Sequence, residues 1–373
     1  MTVLTGARLV TPDGVLESGW LRLAGGRIAE VGAGPLLDPG AEDLGGGWLV
    51  PGFIDLHVHG GGGHDFTESA EAMAAGIDYH RGHGTTRTLV SLMAGSLDAM
   101  CEQLGWLVGL CAVDDRVAGA HLEGPFLAHA RCGAQNVAHL QLPDRQVMAK
   151  LLDAGQGLVR TVTVAPELPG ATTVISDLVQ AGVVAAIGHT DADYEQAQAG
   201  FAAGATLTTH LFNAMSPLDH RRPGGAVAAL ESGAALEVIS DGVHLHPAMI
   251  RLAARYGSQR LVLVTDAMSA TGVGDGSYVL GGLPVTVVDG QARGTGTGSL
   301  AGSTLTLDEA LRQAVRSVGL PIEVAVAAAT ANPARVLGIA DRCGAIAAGL
   351  DADLVLLDDD LQVRRVMIAG RWH

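Results

Sequence analysis

Eight short apolar runs recur along this 373-residue chain, and most are followed by an Ala- and Leu-rich helical stretch. They are Phe53–His59, Thr85–Ser91, Val117–Glu123, Val159–Ala165, Val183–His189, Thr206–Leu211, Leu236–Asp241 and Leu261–Asp266. Nearly continuous apolar character marks strands buried on both faces, as in a parallel sheet. Helical stretches such as 69–81, 144–154, 172–181 and 193–203 lie between them. Strand then helix, eight times over, predicts a (β/α)8 barrel in the α/β class. The core must be Ala, Val, Leu and Ile, because only 3% of residues are aromatic.

The first fifty residues read differently. Short strands alternate with tight turns, as in Pro12-Asp13-Gly14 and Gly25-Gly26, which is hairpin chemistry. The same style returns after Gly344. The expected organisation is a small β-sandwich domain from residues 1–50 plus 344–373, with the catalytic barrel, 51–343, inserted between. After the eighth run the chain predicts a hairpin insertion over 278–293. Helices follow over 304–318 and 322–337, the second interrupted near Asn332-Pro333.

Chemistry in such a barrel sits at the carboxyl ends of the strands. The first run ends His57-Val58-His59 before four glycines, and alternation turns both imidazoles to one face. Alone, the pair also suits two ordinary strand histidines. The third run, however, ends in Glu123, the fifth in His189 and the eighth in Asp266, and the sixth carries His210. Four histidines and two carboxylates therefore converge at one mouth. This N/O donor set, without thiolate, suits Zn²⁺ and also Fe²⁺, Co²⁺ or Mn²⁺, one or two ions per subunit. His57 with His59 can hold one ion, and His189 with His210 a second. Glu123 lies between, and Asp266 completes the set facing the bound water. A metal lowers the pKa of its water to roughly 7, and a neighbouring carboxylate can carry the proton to a leaving group. The reaction predicted is hydrolysis at a carbon such as an amide carbonyl.

Other candidates have duller readings. His121, two positions before Glu123, falls one layer deeper and reads as a supporting or core residue. His64 reads as a solvated loop histidine, and His80 and His83 receive no role. Cys132 reads as a bystander near the mouth. The net charge of −16 argues against nucleic acid or an anionic membrane as partner. Four cysteines without a C-x-x-C, no signal-peptide pattern and no long apolar run predict a reduced, cytoplasmic, non-membrane protein.

The segments PGFIDLHVHG, HLEGPF, IGHT, THLFNAM, DGVHL, VTDAM and Leu300-Ala301-Gly302-Ser303 resemble the N-acetylglucosamine-6-phosphate deacetylases of the amidohydrolase superfamily. The resemblance implies deacetylation of a phosphorylated amino sugar, giving glucosamine 6-phosphate and acetate in amino-sugar catabolism or cell-wall recycling. It implies metal ligation by Glu123, His189 and His210, with His57 and His59 as the extra pair of fuller sites. Asp266 becomes the catalytic acid/base, and His244 a substrate contact that polarises the carbonyl. Ala134, Gln135, Asn213, Ala214 and the Leu300, Ala301, Gly302, Ser303 run become substrate contacts. Arg221 becomes a phosphate contact supplied across a homodimer interface; read alone, it is equally a solvated neighbour of Arg222. Many relatives carry histidine where this chain has Gln135, which cannot carry charge. An alternative is another amidohydrolase acting on an N-acyl or cyclic amide. Many of those carry a metal-bridging lysine near the fourth strand, and residues 159–165 contain none. A non-catalytic scaffold is disfavoured because all six donors are present.

Overall fold

The computed structural model describes residues 2–36 and 38–373. Eight parallel strands form the central sheet: Phe53–Asp55, Thr85–Met93, Val117–Glu123, Val159–Val164, Val184–Ile187, Leu207–Thr208, Ala235–Ile239 and Leu261–Val264. Each pairs with the next in sequence order. The (β/α)8 expectation therefore holds.

The first and last strands meet through a seam just beyond their regular ends. Val58 bridges Ala267. The Asp266 amide donates to the His57 carbonyl at 2.8 Å, and the His59 amide donates to the Ala267 carbonyl at 2.8 Å. Asp55 locks this seam from below. Its carboxylate accepts from Thr265 Oγ1 at 2.6 Å and from the backbone amides of His57 and Thr265. The HxH segment and the VTDA segment thus close the barrel with their backbones and leave their side chains at its mouth.

A second sheet is built from both ends of the chain. In spatial order its strands are Arg371–Trp372, Val363–Ile368, Leu354–Leu357, Trp48–Pro51, Thr2–Thr11, Gly14–Ala24 and Arg27–Ala33, with Glu42–Asp43 beside Thr2–Thr11. Leu354–Leu357 shows why its run is wholly apolar. Leu354 and Leu356 enter the core of the small sheet, whereas Val355 and Leu357 enter the core shared with the barrel helices. Successive side chains in a strand alternate faces, so this strand serves two cores. Arg87 of the second barrel strand ties the sheets together, donating to Asp351 at 2.6 Å and to Asp353 at 3.4 Å.

Helices Ala70–Gly82, Arg145–Ala154, Ala171–Gln180 and Tyr194–Ala202 lie within a residue or so of their expected spans. Asp193 opens the last of these with a capping box to Gln196. In Leu307–Arg316 the residues Leu307, Ala310, Leu311 and Ala314 are buried, a single helical face. The insertion after the eighth strand is a three-stranded sheet, Gly276–Leu280, Leu283–Val288 and Gln291–Gly294, one strand more than a hairpin. Among the described residues no helix is long and apolar enough to cross a membrane.

Candidate active site

The donors expected at the strand ends converge. Glu123 ends the third strand and is buried. Its Oε1 lies 2.9 Å from His189 Nε2 and 3.1 Å from His210 Nε2, and these two nitrogens are 3.1 Å apart. Glu123 Oε2 lies 3.3 Å from His59 Nε2, and His59 Nε2 is 3.1 Å from His57 Nε2. Asp266 Oδ1 is 3.3 Å from His59 Nε2 and 3.5 Å from His57 Nε2. Two trios result, His57–His59–Glu123 and Glu123–His189–His210, each with ligand atoms within 4.8 Å of one another.

Backbone geometry marks the same place. Among the described residues, five of the nine non-glycine positions with positive φ are His189, His210, Phe212, Ala214 and Asp266. Such conformations cost on the order of 1–3 kcal/mol each and persist only where the surroundings impose them. Here the surroundings are explicit. The His189 carbonyl accepts from the Ala128 amide, and the Asp266 carbonyl accepts from the Ser303 amide. His189, His210, Ala214 and Asp266 all line one cavity, whereas Phe212 packs against the core.

The electrostatics fit a cation. Burial resists ionisation of Glu123, but His57 and His189 hold its carboxyl well below the usual range. Burial also opposes ionisation of Asp266, yet His57 and His59 bring it down to about 2. Burial works against charging His57 and His59. The carboxylates outweigh it, raising His57 well above its ordinary value and His59 to about 9. Two buried carboxylates thus stay ionised and demand positive charge, from protons or from an ion. The paired imidazole nitrogens lie 3.1 Å apart, so a cation held between them would replace the protons that the carboxylates otherwise favour there. These residues fit a divalent metal with borderline N/O ligands.

Supporting groups orient the donors. His189 Nδ1 donates to the Arg131 carbonyl at 2.8 Å, which leaves Nε2 for the centre. Glu237 Oε2 lies 3.3 Å from His57 Nδ1 and accepts from the His210 amide. Sequence reasoning missed Glu237; the signal was a lone carboxylate inside the apolar run Leu236–Ile239. It also missed Asp55, whose burial pushes its pKa up to about 7. His121 lies beneath the site, between Ser91 Oγ at 2.9 Å and Thr163 Oγ1 at 2.8 Å, as a supporting residue.

A cavity of about 340 Å³ opens over the donors. Ala134, Gln135, Asn213, Ala214, His244, Leu300 and Gly302 line it, together with His59, Glu123, His189, His210 and Asp266. Gln135 is buried. Its Oε1 accepts from the Ala94 amide, which aims its amide nitrogen at Glu123 Oε2, 2.6 Å away. Ala301 and Ser303 lie behind the lining, and Ser303 Oγ donates to the Thr265 carbonyl. Arg221 is exposed and outside this cavity. His80, given no role, is buried, with Nε2 2.9 Å from the Gly60 carbonyl. His64 is half-buried.

Residues 48–373 match the model of the amidohydrolase family. The chain belongs to the amidohydrolase family. This amidohydrolase is 37% identical over 343 residues to N-acetylglucosamine-6-phosphate deacetylase of Bos taurus, covering 88% of this chain and 84% of the relative. It is 35% identical over 376 residues to N-acetylgalactosamine-6-phosphate deacetylase of Escherichia coli O157:H7, covering 99% and 98%. Among solved structures it superposes on N-acetyl-D-glucosamine-6-phosphate deacetylase of Mycobacterium smegmatis, a mutant in complex with N-acetyl-D-glucosamine-6-phosphate. The TM-score is 0.96 at 45% identity, over 100% of this chain and 98% of that one.

Proposed function

We infer that this amidohydrolase is an N-acetylglucosamine-6-phosphate deacetylase. It hydrolyses the N-acetyl amide of N-acetylglucosamine 6-phosphate to glucosamine 6-phosphate and acetate. The observation that carries this reading is the meeting of His57, His59, Glu123, His189, His210 and Asp266 under one cavity, in a chain aligned along nearly its whole length with such an enzyme.

In this reading Glu123 joins two metal subsites, one completed by His57 and His59 and the other by His189 and His210. Zn²⁺ is the ion we assign. When bound, the metal supplies water of lowered pKa, roughly 7, and polarises the amide carbonyl. Asp266, ionised at neutral pH, accepts a proton from the attacking water and returns it to the departing nitrogen. Asn213, Ala214, Ala134, Leu300 and Gly302 hold the sugar, with Ala301 and Ser303 behind them, and His244 meets it from the cavity lining. The phosphate needs positive charge in an acidic protein, and we assign Arg221 of a second copy in a homodimer, since the Arg fork matches a phosphate. We place the enzyme in the cytoplasm. We take residues 1–50 with 344–373 as a supporting domain and 51–343 as the catalytic one.

The test is acetate release from N-acetylglucosamine 6-phosphate, its unphosphorylated form and N-acetylgalactosamine 6-phosphate. The galacto epimer is included because one relative of nearly equal length bears that name. Fast release from the gluco 6-phosphate and slow release from the unphosphorylated sugar are expected. No release from any of the three, with turnover of a cyclic amide, overturns the reading.

A further inference from the structure

The lining of the cavity carries a second acid–imidazole pair, separate from the metal donors. Asp241 follows the seventh strand, and its two carboxylate oxygens do different work. Oδ1 accepts from the backbone amides of Val243 and His244, both at 2.8 Å, and so shapes the turn. Oδ2 lies 2.6 Å from His244 Nδ1. The His244 side chain is only 6% exposed, yet the residue lines the cavity. With Nδ1 occupied, Nε2 is the nitrogen left for whatever the cavity holds.

We propose that Asp241 is a positioning residue: it fixes the proton of His244 on Nδ1 and so makes Nε2 the atom that meets the substrate. The inference rests on the deacetylase reading of the cavity, and the ligand group it concerns is a neutral oxygen of the amino sugar, a hydroxyl or the amide carbonyl. A carboxylate against one imidazole nitrogen settles tautomer and ring orientation together. It also favours the imidazolium. Burial works against charging His244, but the Asp241 hydrogen bond and charge outweigh it, with help from Asp266 and against Arg293. A protonated His244 donates from Nε2, which suits an oxygen that gains negative charge during attack on the carbonyl.

Asp241→Asn separates the two jobs of this side chain. The amide oxygen can still take the Val243 and His244 amides. The amide nitrogen, however, donates where Oδ2 accepted, so His244 must accept at Nδ1 and carry its proton on Nε2. The experiment uses the full metal-loaded enzyme with ¹⁵N-labelled histidine, and assigns the His244 signals by their loss in His244→Gln. The expected spectrum has a protonated Nδ1 in the wild type and an unprotonated Nδ1 in Asp241→Asn. Acetate release should show kcat lowered at least roughly tenfold with a smaller change in KM, because a neutral imidazole donating from Nε2 stabilises the developing oxyanion less than the imidazolium that Asp241 supports. Asp241→Glu, which keeps an acceptor, should recover part of the loss. The double variant Asp241→Asn/His244→Gln should be no slower than His244→Gln alone, since residues acting as one unit are not additive. An unchanged Nδ1 signal in Asp241→Asn, or losses that multiply in the double variant, overturns the proposal. If the wild type itself releases no acetate, the deacetylase reading fails, and the ring-nitrogen spectra still decide the role of Asp241.

Discussion

Glu123 turns one carboxylate oxygen to His189 at 2.9 Å and keeps the other 3.3 Å from His59. A single side chain therefore belongs to both donor trios. His57→Ala and His59→Ala should empty one subsite and leave Glu123, His189 and His210 holding an ion. Metal analysis of the purified variants checks this. The expected result is roughly one ion fewer per chain with reduced activity. Unchanged stoichiometry with unchanged activity in both variants would make the histidine pair structural.

Glu237 should matter without touching the ion. It sits against His57 Nδ1 at 3.3 Å and takes the His210 amide at 3.2 Å. Removing such an outer partner weakens metal retention by roughly 10- to 100-fold. Glu237→Gln, titrated against a chromophoric chelator, should show that loss mainly at the subsite containing His57. Affinity equal to the wild type would assign Glu237 to packing alone.

Much of this was legible because parallel strands are buried on both faces and write themselves as apolar runs. The runs that ended in His59, Glu123, His189 and Asp266 delivered those residues to the mouth, whereas Asp241, at the end of the seventh run, lies behind His244. The first strand was the exception in detail. Regular pairing stops at Asp55, yet the backbone stays bonded on both sides beyond it: the Val58 carbonyl accepts from the Ser91 amide of the second strand, while His57 and His59 bond with Asp266 and Ala267. The signal at Glu237 was ambiguous, since a carboxylate inside an apolar run looks the same whether it faces a helix or the barrel interior. The helix break expected near Asn332-Pro333 is present and falls two residues earlier, at Thr330, with backbone angles of −138° and −78°. Pro333 sits in the first turn of the following helix, where its missing N–H costs nothing. Gln135 was expected to face the substrate. Its contact with Glu123 depends on the Ala94 amide, 41 residues away, which no local pattern encodes.

His80 gives a pH prediction with a definite sign. Burial lowers its pKa from 6.5 to about 4, with the Gly60 carbonyl opposing. Between those values the unfolded chain binds the proton and the folded chain does not. Folded stability attributable to His80 therefore rises with pH over that window and is lost as pH falls through it. The full loss is on the order of 3 kcal/mol. Urea midpoints of the wild type and His80→Gln at pH 6.5 and pH 4 should show a shallower pH slope for the variant. Identical slopes would contradict the assignment.

Arg221 is exposed and away from its own cavity. If a second copy receives it, Arg221→Ala should raise KM for the 6-phosphate by roughly 30- to 150-fold, the value of a charge-assisted contact of about 2–3 kcal/mol. The unphosphorylated sugar should be affected far less. Mixing Arg221→Ala with an Asp266→Asn variant should restore activity once subunits exchange, because one site then combines both intact residues. A fully active monomer, or no gain despite demonstrated exchange, would exclude a shared site.

The most direct test of the whole account is Asp266→Asn measured twice, once for bound metal and once for acetate release from N-acetylglucosamine 6-phosphate. The carboxylate is buried, ionised and 3.3 Å from His59 Nε2, placed to move a proton. An amide of the same shape cannot do so. The account predicts a folded variant that retains metal at the subsite of Glu123, His189 and His210 and loses nearly all turnover. Metal retained with a kcat close to that of the wild type would contradict it.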